Sequence, residues 1–182
     1  ALGIENLFCV IGPGMGGMQA LQWAIAYPKR VFACVTVAAA AKQSAHNIEL
    51  AELGRQAIMA DPDWRNGAYL QHGTRPTRGG AVARTSAQLA GLSAQDVRSR
   101  FENARTQERF AFNAEGANDT MRQQQGAGFV DRFDANSYLY LSRAMDGFDL
   151  AADFGGRLAN AFQGSNTRHG VFSFSSDWRY PP

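Results

Sequence analysis

Near its start the chain carries a short, wholly apolar run, Leu7 to Ile11 (LFCVI), that stops at a glycine. Apolar toward both faces, this run predicts a strand of a parallel sheet covered on both sides. From Met18 to Tyr27 (MQALQWAIAY) apolar residues recur at helical spacing, and Pro28 closes the segment. Val31 to Ala39 (VFACVTVAA) is β-branched and apolar, which predicts a second buried strand. Strand, glycine turn, helix and strand make a βαβ unit, and that unit requires parallel strands joined by a crossover.

After Ser44 the period changes. Helical patterns run over Ile48–Met59, Ala81–Leu92, Ser137–Met145 and Leu150–Phe162, and Ser93 with Asp96 three residues later forms a capping box. Gly, Pro and Asn gather at 61–67 and 73–80 and mark turns. His169 to Ser175 (HGVFSFS) reads as a third strand that runs into Ser176, Asp177 and Trp178. The organisation predicted is α/β: core segments at 1–43 and 163–182, separated by a large helical insertion at 44–162.

Composition narrows the function classes. With 45% hydrophobic and 19% charged residues, 182 residues can bury a sizeable core, which excludes a disordered tail, a collagen-like fibre and a coiled coil. No apolar run reaches the roughly 18–20 residues of a membrane span, and no basic-then-apolar leader opens the chain. The net charge of +2 is spread along the sequence without a basic block, so neither nucleic acid nor membrane is expected as a partner. Cys9 and Cys34 lie inside apolar runs and read as small buried residues of a cytoplasmic protein, not as a disulfide framework. His46, His72 and His169 show no metal-ligand spacing, so no metal site is expected. His46 and His72 read as solvated, and Trp23, Tyr138, Tyr140 and Met145 as core. An alanine at the first position and two prolines at the end suggest a piece of a longer chain.

The turn Gly12-Pro13-Gly14-Met15-Gly16-Gly17 admits three readings. It satisfies the dinucleotide fingerprint, Gly12-x-Gly14-x-x-Gly17, in its strand–turn–helix setting, where backbone amides at the helix start would cradle an NAD(P) pyrophosphate. That fingerprint also calls for a carboxylate at the end of the next strand, where this chain has Ala38 to Ala41 and then Lys42, a residue suited at most to a 2′-phosphate. The same turn matches G-x-S-x-G, the nucleophile elbow, with Gly14 in place of the serine and the Met15 amide as an oxyanion donor. The third reading is a glycine-rich turn that only lets a helix pack closely on a strand.

Four long stretches go further: LFCVIGPGMGGMQALQWAIAYPKRVF, GRQAIMADPDWRNGAY, RFDANSYLYLSRAMDGFDLAAD and FSFSSDWRYP. In this order and spacing the sequence resembles the homoserine O-acetyltransferases, acyltransferases of methionine biosynthesis with the α/β-hydrolase fold. The resemblance implies the central part of such an enzyme, with the three strands as sheet neighbours and the helical insertion as a lid. It implies a cytoplasmic, metal-free protein whose partners are small molecules, acyl-CoA as co-substrate and L-homoserine, with no resident cofactor; a homodimer is an assembly the intact family allows. By resemblance Gly14 stands at the nucleophile position, Asp177 at the triad acid, Met15 at an oxyanion amide and Arg84 at the arginine that pairs with the substrate carboxylate. Gly91 occupies the place of a family tyrosine that helps hold homoserine, and the segment NDTMRQQ before Gln125 departs from the family's aromatic pattern. The triad histidine is implied to lie beyond Pro182. A chain without nucleophile and histidine is expected to be inactive, which leaves a non-catalytic ligand-binding or interaction protein as the alternative. A three-strand slice of a larger sheet is also expected to leave an apolar edge and face open and to aggregate.

Overall fold

A computed structural model describes residues 3–93, 95, 98 and 132–182. Two compact units result, one from Ala1–Ser44 with Met145–Pro182 and one from Ala45–Ala144.

The first unit is built on a three-stranded parallel sheet in the order β1-β2-β3: β1 is Leu7–Pro13, β2 is Val31–Val37 and β3 is Arg168–Phe172. Val10 stands opposite Cys34, and Cys34 opposite His169; at the carboxyl ends Pro13 faces Val37, and Val37 faces Phe172. Helix α1, Met15–Ala26, connects the first two strands and buries Ala20, Leu21 and Ala24 against Val31 and Cys34. Leu150 completes that core, with Phe148 and Phe162 packed against it. Its small alanines allow close approach of helix to sheet, and burial of Leu21, Val31 and Leu150 stabilises by about 1.5–3 kcal/mol per side chain.

Among the described residues the expected cover on both faces is not found. Phe8 is 79% and Ile11 69% exposed on β1, and Cys9 is exposed rather than buried. Phe8 instead stacks on Phe32 at 5.3 Å between ring centroids, and the Arg168 guanidinium lies 5.1 Å over the Phe32 ring. An apolar side chain in a strand is buried only when a further layer covers it, and periodicity reports the side chain without the layer. Trp23, 47% exposed, likewise lies outside the core and pairs with Tyr27 along α1.

The helical pattern read over Leu150–Phe162 resolves into a 3₁₀ turn, Ala152–Phe154, and a single short helix α5, Leu158–Ala161. Gly155 and Gly156 at φ +67° and +76° break the run between them. Two segments leading away from and back to the sheet are clasped. Gln43 N donates to the Phe148 carbonyl and Leu150 N to the Ala41 carbonyl, each at 2.9 Å, and Lys42 Nζ reaches Asp149 Oδ2 at 2.9 Å.

In the second unit, α2 (Ala45–Ala60) and α3 (Thr77–Ala90) cross closely, and α4 (Ala135–Asp146) follows later in the chain. Gly79 is the point of closest approach. A Cβ there would run into the Ala57 carbonyl and come within 2.7 Å of the Ile58 Cα. Between α2 and α3 the 3₁₀ segment Pro62–Gly67 holds Arg65 and Asn66 at φ +52°. Side chains fix this unusual turn: Asp61 Oδ1 accepts from Asp63 N and Oδ2 from Gly79 N, while Asn136 accepts from Trp64 Nε1 and donates to the Gly67 carbonyl, each at 2.9 Å. Tyr140, read as core, is 78% exposed on α4. The capping-box residue Asp96 and the NDTMRQQ segment lie outside the described residues. Among the described residues no helix is long and apolar enough to cross a membrane.

Candidate active site at the carboxyl edge of the sheet

In a parallel sheet the carboxyl ends of all strands lie along one edge, and loops from that edge are where α/β proteins assemble their chemistry. Here the edge is laced by backbone hydrogen bonds. Gly14 N donates to the carbonyls of Val37 (3.0 Å) and Ala38 (3.1 Å), and Ala38 N donates to the Phe172 carbonyl at 2.8 Å. The residue after each of the first two strands is thereby tied to the strand beside it.

The glycines of the turn have different jobs. A Cβ on Gly12 would enter the Gly16 carbonyl group, and one on Gly17 would sit 2.5 Å from Ala39 Cβ and 2.9 Å from the Gly12 oxygen. These two positions are glycine because α1 starts in contact with the strand. Gly14 is different. Its backbone has φ +51° and ψ −121°, a region L-residues rarely adopt, yet among the described residues a Cβ there meets only Tyr180 Cε2 at 3.7 Å and the Ala38 oxygen at 3.9 Å, ordinary contact distances. The turn is wound as a strained strand-to-helix elbow with room for a side chain at its apex. Met15 begins α1, so its amide belongs to the first helical turn, where N–H groups have no acceptor within the helix and the helix dipole favours negative charge.

Asp177 lies in the loop after β3, partly buried. Its Oδ1 accepts from Arg179 N at 2.8 Å and Tyr180 N at 3.0 Å, and its own amide donates to the Phe174 carbonyl. Capping the turn occupies one carboxylate oxygen; Oδ2 takes part in neither of those bonds. The turn carries the buried Tyr180 ring to Gly14, and burial holds its phenol above the usual range. Gly14, Met15 and Asp177 therefore come from the same edge of one unit. Tyr180 escaped the sequence reading, because its approach to Gly14 joins positions far apart in the chain.

The two substrate candidates lie in the other unit. Arg84 is partly buried midway along α3, and Gly91 follows the end of α3, exposed, with its amide donating to the Gln88 carbonyl. Among the described residues a Cβ at Gly91 would meet only that carbonyl oxygen, at 3.7 Å. Lys42, weighed for a 2′-phosphate, is paired with Asp149, which holds that carboxyl below its usual range; the pairing weakens the dinucleotide reading. His46 and His72 are exposed, as read. His169 is the second residue of β3, exposed and edge-on to Phe162 at 5.0 Å, and partial desolvation pushes its imidazole pKa down.

Comparison with known proteins agrees with the fold. Residues 1–163 match the family model described as the alpha/beta hydrolase fold. The chain is 53% identical to a homoserine O-acetyltransferase of Rhodopseudomonas palustris, covering 99% of this chain and 46% of that protein. It is 54% identical to one of Caulobacter vibrioides, covering 100% of this chain and 48% of that protein. It thus spans about half the length of the curated relatives it matches. Among solved structures it superposes on homoserine O-acetyltransferase from Bacillus anthracis with a TM-score of 0.87 at 23% identity, over 99% of this chain and 48% of that one. An acetylester hydrolase from Corynebacterium glutamicum gives 0.80 at 21%, over 99% and 49%. These structural likenesses carry the fold, and the sequence relatives carry the closer kinship. The chain belongs to the α/β-hydrolase fold family, and its curated relatives at about 53% identity are homoserine O-acetyltransferases.

Proposed function

We propose that this chain is the elbow-and-acid portion of a homoserine O-acyltransferase in which Gly14 has replaced the nucleophile, so that the protein as written does not transfer acyl groups. The observation that supports this is the backbone at Gly14: the strained elbow torsions are kept, and the space at its apex is open, while the hydroxyl is missing.

With serine at position 14, the chemistry would run as two acyl transfers. The serine oxygen attacks the thioester carbonyl of acyl-CoA as a histidine takes its proton. The C–S bond breaks, and the CoA thiol leaves carrying that proton. The hydroxyl of L-homoserine then attacks the ester, its proton passes to the histidine and on to the serine oxygen, and O-acyl-homoserine leaves. In this reading Asp177 orients the histidine through Oδ2 while Oδ1 keeps its turn folded, and the Met15 amide faces the developing oxyanion. Arg84 pairs with the homoserine carboxylate through its planar fork, and Gly91 leaves that pocket without the family's tyrosine.

The test is CoA-thiol release from acetyl-CoA with L-homoserine by the complete gene product and by its Gly14→Ser variant. The glycine protein is expected to match the blank. The serine variant is expected to gain about three orders of magnitude or more, a gain that Asp177→Asn removes. Homoserine-dependent release by the glycine protein would overturn the reading. A second reading, a relative that binds ligand without turning it over, draws on the same glycine. Calorimetry separates the two, since heat of homoserine binding without turnover favours the binder.

A further inference from the structure

A side chain at position 14 would be bounded by a residue that none of the roles above employs. Tyr180 is 6% exposed, and its Cε2 lies 3.7 Å from where a Cβ at 14 would stand. Three constraints hold the ring there. Asp177 Oδ1 accepts the Tyr180 amide at 3.0 Å, the Arg179 guanidinium lies 5.8 Å from the ring centroid, and Pro181 and Pro182 restrict the backbone that follows. A second limit is the Ala38 carbonyl, 3.9 Å from the same point and fixed by its hydrogen bond to Gly14 N. One boundary is therefore backbone and cannot vary with residue type; the other is a side chain and can.

We propose that Tyr180 is a specificity-determining residue that walls position 14 and confines what a side chain there can carry to a short acyl group. The inference rests on the reading of position 14 as the acyl-carrying one. A flat ring at van der Waals distance from the Cβ leaves room for a two-carbon group turned away from it and crowds a longer or branched one. Asp177 thereby acquires a second consequence, because the carboxylate oxygen that caps its turn also sets where this wall stands.

The experiment places a thiol at the apex, Gly14→Cys, in the full chain with exposed Cys9 replaced by serine and buried Cys34 left in place. Methyl and benzyl methanethiosulfonate then compete for the introduced thiol; each transfers its S-alkyl group to the thiolate and releases methanesulfinate. The parent is expected to favour the methyl reagent by about tenfold or more, the scale on which a pocket wall discriminates small size differences. Tyr180→Ala is expected to narrow that preference toward unity, and Tyr180→Phe to retain it. Circular-dichroism melts accompany each variant, and Tyr180→Leu stands in should the alanine variant lose its cooperative melt. Equal acceleration of both reagents, or no change in their ratio, overturns the proposal. A narrowed ratio in Tyr180→Ala, together with CoA release by the Gly14→Ser protein, supports it. A narrowed ratio without any release keeps the wall and overturns the acyl assignment.

Discussion

Two tight turns of this molecule hold residues at positive φ by opposite means. At the elbow the strained residue is Gly14, and the shape comes from packing: Gly12 and Gly17 let α1 begin against the strand, and the lacing to Val37 and Ala38 uses only backbone atoms. At Pro62–Gly67 the strained residues are Arg65 and Asn66, and side chains far apart in sequence hold them, Asp61 from one end and Asn136 from α4. The difference teaches where each turn is vulnerable. The elbow breaks when atoms are added at its base and tolerates addition at its apex; the second turn breaks when hydrogen-bonding atoms are removed.

The harshest test of that contrast adds one methyl group at the base of the elbow. Gly12→Ala, which drives a Cβ into the Gly16 carbonyl, or Gly17→Ala, which drives one against Ala39 Cβ and the Gly12 oxygen, is expected to cost about 3 kcal/mol or more, read as a lowered midpoint in urea. Next comes Asp61→Ala, which strips acceptors from the amides of Asp63 and Gly79, the latter buried. A loss of about 2–3 kcal/mol is expected, with Asn136→Ala somewhat milder at about 1–2 kcal/mol. Gly14→Ser should cost only about 1–2 kcal/mol, chiefly backbone strain, because among the described residues its Cβ would meet nothing closer than 3.7 Å. If Gly14→Ser proved as damaging as Gly12→Ala, the separation of apex from base would collapse.

The smallest effect concerns the start of β3. Partial desolvation lowers the folded-state pKa of His169, so the unfolded chain binds more protons as the pH drops below about 6.5. Stability should therefore be complete above that pH and decline as the solution is acidified toward the folded pKa. His169→Gln is expected to flatten this part of a melting-temperature profile. An unchanged slope would mean that the ring, edge-on to Phe162, titrates as it does in water.

Much of the fold was legible because it rests on local chemistry. The apolar runs at 7–11 and 31–39 and the helical spacing between them name the βαβ unit, whose two strands pair in parallel as read, while the place of β3 beside them came from the family resemblance. The break at Gly155-Gly156 was legible too, since a double glycine is a stop signal, but the apolar spacing on either side outweighed it. What was not legible depends on partners distant in sequence. Nothing near Asp61 announces that it will bind Gly79, and nothing near Tyr180 points to Gly14, 166 positions away. Exposure of Phe8, Trp23 and Tyr140 escaped for a related reason: an apolar pattern tells which side chains seek cover without telling which segments provide it. At the candidate site the turn motif supplied Gly14 and Met15 and the family resemblance supplied Asp177, and the structure added the torsions, the open apex and the ring beside it.

The clasp at residues 41–43 and 148–150 has a consequence for how such a molecule changes over generations. Two stems already hydrogen-bonded to one another, with Lys42 and Asp149 paired across them, close the intervening hundred-odd residues into a side branch whose root is fixed whatever the branch contains. Lengthening a loop closed at its root adds only about 0.6 kcal/mol of closure entropy per doubling. Insertions, deletions and whole exchanges beyond the clasp therefore need not reroute the sheet. The branch can be rewritten while the elbow and the Asp177 turn keep their places in the sheet.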